Sequence, residues 1–554
     1  MFGLIPIVLS MMLVPNICGK NVGFQDDILL AAQTTPRNLG RPTFVALILT
    51  AWLVSISGCA HMGGTSLSEW WHNDKKVGPN YCRPPAPVAE GWIDQGTDIR
   101  IMPAPAEHRA WWTTFQDPVI DRLVVEAYQQ NLSLREAGLR VLQARSQLAI
   151  SQGNLFPQRQ EAFGEYQHVQ VSRNLDPPLV PTTFPPAFAP GARAFDFWST
   201  GFNLAWEVDV WGRFRRNIEA ANAVVDATVE DYDAILVCLL ADTVATYTEI
   251  RTLEQRLDYA RSNVEIQQGS LDLADARFQR GAVSELDVTQ AKSNLAQTES
   301  LIPGLESSLR QANNRLCILL GVPARDLLAE LGPAMIPTAP PEVAVGIPAE
   351  LLRRRPDVRA AERRAAAQSA SIGVAVSDLY PAFTVLGTIN YEAEKLSNLF
   401  DTSSLAGNVG PTFRWNVLNY GRIRNNIILQ DARFQELVVR YQNSVLRAGQ
   451  EVEDALIAFL KAQEQTRSLR ESVKAANRSV EIAEIQYREG AIDFNRVFSL
   501  QSLLVSQQDQ LASAEGNIAA SLIRVYKALG GGWQIRCARL PVVIANADVP
   551  VRLP

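Results

Sequence analysis

From Val225 to Phe278 the chain steps in alternating fours and threes, and nearly every stop is apolar. Val225, Val229, Tyr232, Leu236 and Leu239 open the series, and Leu271, Ala274 and Phe278 close it. The same ladder displaced by 209 residues runs from Phe434, Val438, Tyr441, Val445 and Ala448 to Val480, Ala483 and Tyr487. A sustained repeat of 3.5 residues is the seam of supercoiled helices. Neither run contains proline, and at 1.5 Å per residue each helix, from its Gly-Arg start to its closing glycine, is roughly 100 Å long. Helices of that length do not fit a compact domain. A plain coiled-coil rod is the simplest object this pattern describes.

Ahead of each ladder the period changes to two. Phe202, Leu204, Trp206, Val208 and Val210 alternate with Asn203, Ala205, Glu207 and Asp209. Val409, Pro411, Phe413, Trp415 and Val417 alternate with Gly410, Thr412, Arg414 and Asn416. Phe383, Val385, Gly387, Ile389 and Tyr391 form a third clean alternation, and Phe163–Val171 a weaker one. Each segment is about long enough to cross a bilayer at a tilt. Four strands cannot close a barrel, since the smallest membrane barrels have about eight. The strands are therefore either a half-buried sheet or one share of an oligomeric barrel. Trp206, Trp415 and Tyr391, near strand ends, suit a membrane-interface girdle and a buried sheet edge alike.

The two periods recur together because the chain is written twice. At an offset of 209, Trp206 falls on Trp415, Gly212-Arg213 on Gly421-Arg422, Gly281 on Gly490, and Leu320-Gly321 on Leu529-Gly530. Leu155-Phe-Pro157 and Leu379-Tyr-Pro381 stand 224 apart, so the first copy holds 224 − 209 = 15 extra residues between Pro157 and Trp206. The Pro-rich stretch Asp176–Gly191 lies there. Duplication of one unit is the first organising fact of the fold.

Composition removes several classes of function. A charged fraction of 20% and a net charge of −6 leave no basic footprint for nucleic acid. The body of the chain has no apolar run of about eighteen residues, so it does not span a membrane by helices. Cys18, Cys59, Cys82, Cys238, Cys317 and Cys537 lack CxxC or Cys/His metal spacing and do not read as a disulfide framework. His61, His72, His108 and His168 have no catalytic partner at motif spacing. Gly530-Gly-Gly532 lacks the Lys-Ser/Thr of a phosphate loop and reads as a helix stop. Arg353-Arg354-Arg355 reads as the solvated start of a helix.

The N-terminus carries an address. Arg37 and Arg41 precede the apolar run Thr43–Ile56, which ends in Ser57-Gly58-Cys59. Charge, apolar core and small residues are the order of a secretory signal. Ile56-Ser-Gly-Cys59 resembles the bacterial lipobox, whose cysteine is acylated and becomes the mature N-terminus. Cys59 lies deep for a signal, and Phe2–Val14 is a second apolar run upstream; a start site assigned too early explains both.

Several separate motifs then carry a family resemblance. Val77-Gly-Pro-Asn-Tyr81 with Arg83-Pro84, and Trp111-Trp112 with Phe115 and Asp117-Pro118, are similar to the mature N-terminal region of outer-membrane efflux lipoproteins of the TolC-like outer-membrane factor family. Arg354-Arg-Pro-Asp-Val-Arg359 with Ala361-Glu362, Arg277-Phe-Gln-Arg-Gly281 with Ser284 and Asp287-Val288, and Ala528-Leu-Gly-Gly-Gly-Trp533 resemble it too. The similarity covers Val77 to Trp533.

The resemblance implies a mainly α protein with a transmembrane β part. Internally duplicated long-helix hairpins would form a trimeric α-barrel tube, joined to a 12-stranded outer-membrane β-barrel with 4 strands from each chain. The implied strands are Gln160–Val171, Phe197–Val210, Ala382–Glu392 and Asn408–Leu418. The implied helices are Pro118–Leu155, Gly212–Arg280, Ser284–Leu320, Pro356–Asp378, Gly421–Glu489 and Asp493–Leu529. The segment Val322–Pro348 and both ends of the mature chain would form a belt, and the loops Ser172–Ala194 and Ala393–Ala406 would face outside the cell. The expected organisation is a signal at 1–58, a lipidated N-terminal segment at 59–117, repeats at 118–321 and 351–530, a linker at 322–350 and a tail at 531–554.

The functional candidates are the two tips, where Gly281 and Gly490 permit the chain to reverse. Val283, Ser284, Ile492 and Asp493 complete those turns, with Val283 or Ile492 exposed. By resemblance this end is both the closed aperture and the docking site of a periplasmic adaptor. Asp287 matches the family's acidic position after the first tip, whereas Arg496 and Ser499 stand where acidic residues are usual after the second. Arg280 and Arg496 are candidate partners for Asp287, and polar pairs suit an aperture that must open better than a dry apolar seam. The expected function is the outer-membrane channel of a tripartite efflux system, with no enzyme activity and no cofactor or metal beyond a lipid on Cys59. Its expected partners are two further copies, the adaptor, an inner-membrane pump of the resistance-nodulation-division type and outer-membrane lipid. The exit duct of type I protein secretion and a non-conducting periplasmic scaffold are the alternatives.

Overall fold

The computed structural model describes residues 67–94, 98, 100–102, 109–170, 172, 174, 194–350 and 354–537. The expected signal, Cys59, His61, His108, Arg353, most of the Pro-rich loop and the end of the tail lie outside these residues. In chain order the elements are α1 (Leu67–His72), β1 (Ile101–Met102), α2 (Pro118–Gln130), α3 (Leu132–Gly153), β2 (Arg159–Gln170), β3 (Ala194–Val208), α4 (Arg213–Gln279), α5 (Glu285–Glu299) and α6 (Leu301–Leu319). They continue with α7 (Leu328–Leu331), β4 (Val343–Ala344), α8 (Pro356–Ser377), β5 (Ala382–Ala393), β6 (Leu405–Arg414), α9 (Arg422–Arg488) and α10 (Phe494–Ala528). The protein is mostly helical with a β-sheet part. Contacts divide the chain into two units, one from residues 1–85, 144–225 and 363–438 and the other from 86–143, 226–362 and 439–554.

The duplication survives in three dimensions. Helices α4 and α9 are each 67 residues long and stand 209 residues apart at both ends. The 3.5-residue ladder is the buried seam. From Leu236 to Ala274 every stop is buried except Val264, and from Val438 to Tyr487 every stop except Leu469. Between Leu236 and Leu253 the burial of α4 broadens well beyond a seam, with Leu240, Val244 and Tyr247 enclosed as well. The cause is the segment that packs there: Trp111 stacks on Tyr526 with ring centroids 5.4 Å apart. Asp117 caps α2 by accepting the Val119 N–H at 2.8 Å and also accepts the Tyr247 hydroxyl at 2.7 Å. The Trp-Trp-x-x-Phe-x-Asp-Pro motif is thus a plug in the helical core.

Two expected helices are broken. Asn131 (ψ 124°) interrupts Pro118–Leu155, since its amide donates to the Leu319 carbonyl at 2.9 Å while its Oδ1 accepts the Leu134 N–H at 2.9 Å. Ser300 divides Ser284–Leu320, three residues before Pro303, whose ring cannot donate to the preceding turn. The matching stretch of α10 carries Ala512 and is continuous. The last residue of the arginine run is not solvated either. Arg355 is buried, pairs with Asp357 and Glu451 at 2.7 Å each, and donates to the Ala528 carbonyl at 2.9 Å. Cys82 is disulfide-bonded, and Cys238, Cys317 and Cys537 are free thiols.

In the first unit, β2, β3, β5 and β6 form one antiparallel sheet in that order. Register makes cross-strand partners share a face. Ala162, Phe202, Ile389 and Gly407 lie in one row, and Leu204, Gly387 and Val409 in the next, all on an apolar face. Phe202, Ile389, Val409 and Phe413 are more than half exposed on it. The opposite face is polar: Asn203 donates to Glu161 at 3.2 Å, Thr388 to Asn203 at 2.9 Å, and Asn390 to Ser199 at 3.1 Å. The strand expected at Asn408–Leu418 runs instead from Leu405 to Arg414, because Ala382, the first residue after Pro381, pairs with Arg414 and leaves nothing opposite Trp415. The indole N–H of Trp415 instead reaches the Leu379 carbonyl at 2.9 Å, as Trp206 reaches Leu155 at 3.2 Å.

The Val-Gly-Pro-Asn motif also lies in this unit. Arg216 donates to the carbonyls of Val77 and Gly78 and to Asn80 Oδ1, each at 3.0 Å. In the second unit, the N-terminal segment and Val322–Pro348, both expected in the belt, pair with each other through β1 and β4.

Candidate functional site at the hairpin tips

Both tips close with the same backbone device. The Gly281 N–H donates to Phe278 O at 2.8 Å and the Ala282 N–H to Arg277 O at 2.9 Å. Gly490 donates to Tyr487 O at 3.0 Å and Ala491 to Gln486 O at 2.8 Å. This is the Schellman pairing of a helix C-terminus, which needs a left-handed residue; the glycines supply it with φ of 69° and 78°. Ser284 and Asp493 then turn extended and open α5 and α10. Asp493 is committed to capping, accepting the Arg496 N–H at 3.1 Å. Ser284 caps nothing, and its hydroxyl lies 3.5 Å from Asp287 Oδ1.

The exposed apolar residues are not those expected. Val283 and Ile492 are only partly exposed, and Ile492 packs on the cluster beneath the turn. Leu286 (62% exposed), Ile485 (55%) and Phe278 (43%) face water instead. Phe278 and Tyr487 occupy the same rung of the two ladders, yet Tyr487 is 2% exposed.

The tip is joined by Tyr487, Asp287 and Arg277. The Tyr487 hydroxyl donates to Asp287 Oδ2 at 3.3 Å, and the Arg277 guanidinium lies 4.7 Å from the Tyr487 ring centroid. Arg277 also donates to the Tyr487 carbonyl. Burial, then the Asp287 charge, pushes the Tyr487 phenol up to about 12, so it keeps its proton as a donor at neutral pH. Arg280 and Arg496 are exposed, and among the described residues neither forms an ion pair with Asp287. Sequence reasoning missed Arg277 and Tyr487. A signal was present, since at the 209-residue offset Arg277 faces Gln486 and Phe278 faces Tyr487, a divergence just before otherwise matching glycines.

Beneath this rim the seam between the chain's own two hairpins is dry. Leu271, Val288 and Leu295 of one hairpin pack with Ala483, Phe494 and Val497 of the other, because both ladders stay apolar into the last turn. A polar layer follows: Gln501 accepts from Asn294 at 3.1 Å and donates to Ser270 at 2.8 Å and Glu484 at 2.9 Å. The four hairpin helices each contribute one of these residues. His168, on β2, is exposed with Nδ1 2.7 Å from Asp196.

Comparison with known proteins agrees with this architecture. The outer membrane efflux protein family model matches residues 123–322 and 347–531, spanning both copies. Nodulation protein T of Rhizobium leguminosarum bv. trifolii is 28% identical over 468 residues, 82% of this chain and 94% of that protein. The toluene efflux pump outer membrane protein TtgF of Pseudomonas putida is 30% identical over 470 residues, 82% of this chain and 93% of that one. The solved outer-membrane channel OprN is 31% identical with a TM-score of 0.76, over 83% of this chain and 99% of its own. With its duplicated hairpins, two-faced sheet and a family match over most of its length, the chain belongs to the outer membrane efflux protein family.

Proposed function

We propose that this chain is the outer-membrane channel of a tripartite efflux system, a passive exit duct for small molecules. The observation that carries the reading is the two-faced sheet. Its apolar face is exposed and its opposite face is a hydrogen-bonded polar surface, which is the arrangement of a wall between lipid and water. Tyr166 and Trp198 stand at one end of that wall and Trp206 at the other. The eight steps from Trp198 to Trp206 span roughly 26 Å along the strand at 3.3 Å per residue, which at a barrel tilt of about 40° is roughly 20 Å of height, most of an outer-membrane apolar band.

Strands β2 and β6 are open edges, which lipid does not tolerate. Three copies of the four-stranded sheet would remove them in a barrel of 3 × 4 = 12 strands. The long helices would supply the periplasmic wall, with repeats at 118–321 and 351–530 and a belt from 59–117 and 322–350. A lipid on Cys59 would tether the mature N-terminus. An adaptor would dock at the Gly281 and Gly490 tips, and an inner-membrane pump of the resistance-nodulation-division type would supply the energy. The duct itself makes and breaks no covalent bond.

Purified protein in planar bilayers should conduct ions, and light scattering in detergent should give a trimer. A stable folded monomer without conductance would return the chain to a scaffold role.

A further inference from the structure

The loop joining β5 to β6 is short and hydrogen-bonded within itself, and among its mostly polar exposed residues it presents two large apolar side chains, Leu396 and Phe400. It makes two successive 3-10 turns, at Leu396–Asn398 and Thr402–Ser404. Asn398 donates to Lys395 O at 3.0 Å, Asp401 to Asn398 O at 3.1 Å, and the Ser404 hydroxyl to Asn398 O at 2.7 Å. Leu399 is the inward peg, 5% exposed. Its neighbours point the other way: Leu396 is 55% exposed and Phe400 is 72% exposed.

The position of Phe400 says what covers it. Its ring centroid is 5.9 Å from that of Tyr391. Tyr391 pairs with Leu405 in register, and both belong to the apolar face of the sheet that includes Ile389 and Val409. Trp198 pairs with Ala393 on the same face and packs against Tyr166 at 4.4 Å, so this end of the face carries an aromatic belt. Beyond the belt, β2 and β3 turn polar at once, with His168 opposite Asp196. On the β5–β6 side the apolar surface continues past the strand ends into Leu396 and Phe400.

We propose that this loop is a lipid-inserting element, in which Leu396 and Phe400 enter the acyl boundary of the outer leaflet beside Tyr391. The proposal rests on the barrel reading, because it extends the lipid-facing surface of that sheet. Aromatic and aliphatic side chains at this depth hold a barrel at a fixed height against tilt and slippage. The occupant is membrane lipid, since the patch is continuous with the apolar face and not with the polar one.

The test is photo-crosslinking of the full-length protein in outer membranes, with p-benzoylphenylalanine placed singly at Phe400, at Val409 and at Asn408. Val409 lies on the apolar face and Asn408 on the polar one. Lipid adducts, read by mass spectrometry, should form at Phe400 as at Val409, and about tenfold more than at Asn408. Leu396 serves as a second probe if the Phe400 replacement does not accumulate. Lipid at Val409 with only protein adducts, or none, at the loop positions overturns the proposal and leaves the barrel standing. No lipid at Val409 removes the barrel reading and the loop proposal together.

Discussion

The Tyr487 hydroxyl lies 3.3 Å from Asp287 Oδ2, joining two hairpins whose contact residues are 200 positions apart in the chain. At that length the bond is weaker than a typical O–H···O contact. Tyr487 also closes the dry cluster, with its ring 5.4 Å from Phe494 at 70°. One residue therefore ties the rim to the seam. Tyr487→Phe keeps the packing and removes the bond, at a cost of about 1 kcal/mol. The closed tip should open roughly fivefold more often in single-channel recordings, with trimer content unchanged. Asp287→Ala should act in the same direction, and the two changes together should be less than additive because they remove one contact.

The two tip glycines should not respond alike. A side chain at either carries the left-handed strain of about 1–2 kcal/mol. At Gly281 the added Cβ meets nothing within 4 Å, whereas at Gly490 it stands 3.2 Å from Arg277 Nη2. Gly281→Trp should leave the trimer and its conductance intact while reducing adaptor crosslinking and raising drug susceptibility. Gly490→Trp should likewise keep the trimer and reduce adaptor crosslinking, but it should also raise the frequency of opening by displacing Arg277. Crosslinking and export at wild-type level in both variants would move adaptor docking elsewhere.

Stability should fall as pH rises through neutrality. Glu230 is buried against Arg359, and burial lifts its carboxyl to about 7, with Asp233 and Asp226 raising it and Arg359 and Arg536 opposing. Asp233, fully buried beside Arg536, is shifted in the same direction by burial. A folded value above the unfolded one means that the folded state holds the proton more tightly. The stabilisation is complete below the unfolded carboxylate range and is lost as pH passes about 7. Thermal midpoints followed by circular dichroism should be higher at about pH 5.5 than at about pH 8, and Glu230→Gln should flatten that slope.

The lipid prediction concerns a residue outside those the structure describes. Cys59→Ala should abolish palmitate labelling and leave a precursor of higher mass, with trimer assembly retained. Unchanged labelling, or a mature N-terminus at another residue, would reject Cys59 as the acylated position.

Much of the architecture was legible because it is local. The 3.5-residue ladder identifies its own buried rungs, and a glycine after the last rung identifies a helix end. Alternation marks the strands, and duplication checks each signal against a second copy. Even the tip carried a readable clue, in the divergence of Arg277 and Phe278 from Gln486 and Tyr487.

What the chain alone determined, then, is which segments are helix and strand and where the hairpins turn, since those depend on neighbours within a few residues. Tertiary structure decided the rest. The break at Asn131 needs the Leu319 carbonyl, 188 positions away. The last residue of β6 is set by Ala382 across the ladder, not by its own alternation. Within the chain, packing of the two hairpins brings the Tyr487 phenol to the Asp287 carboxylate, and among the described residues Arg280 and Arg496 do not reach it. Periodicity records which face of an element is buried; it does not record which distant residue is waiting there.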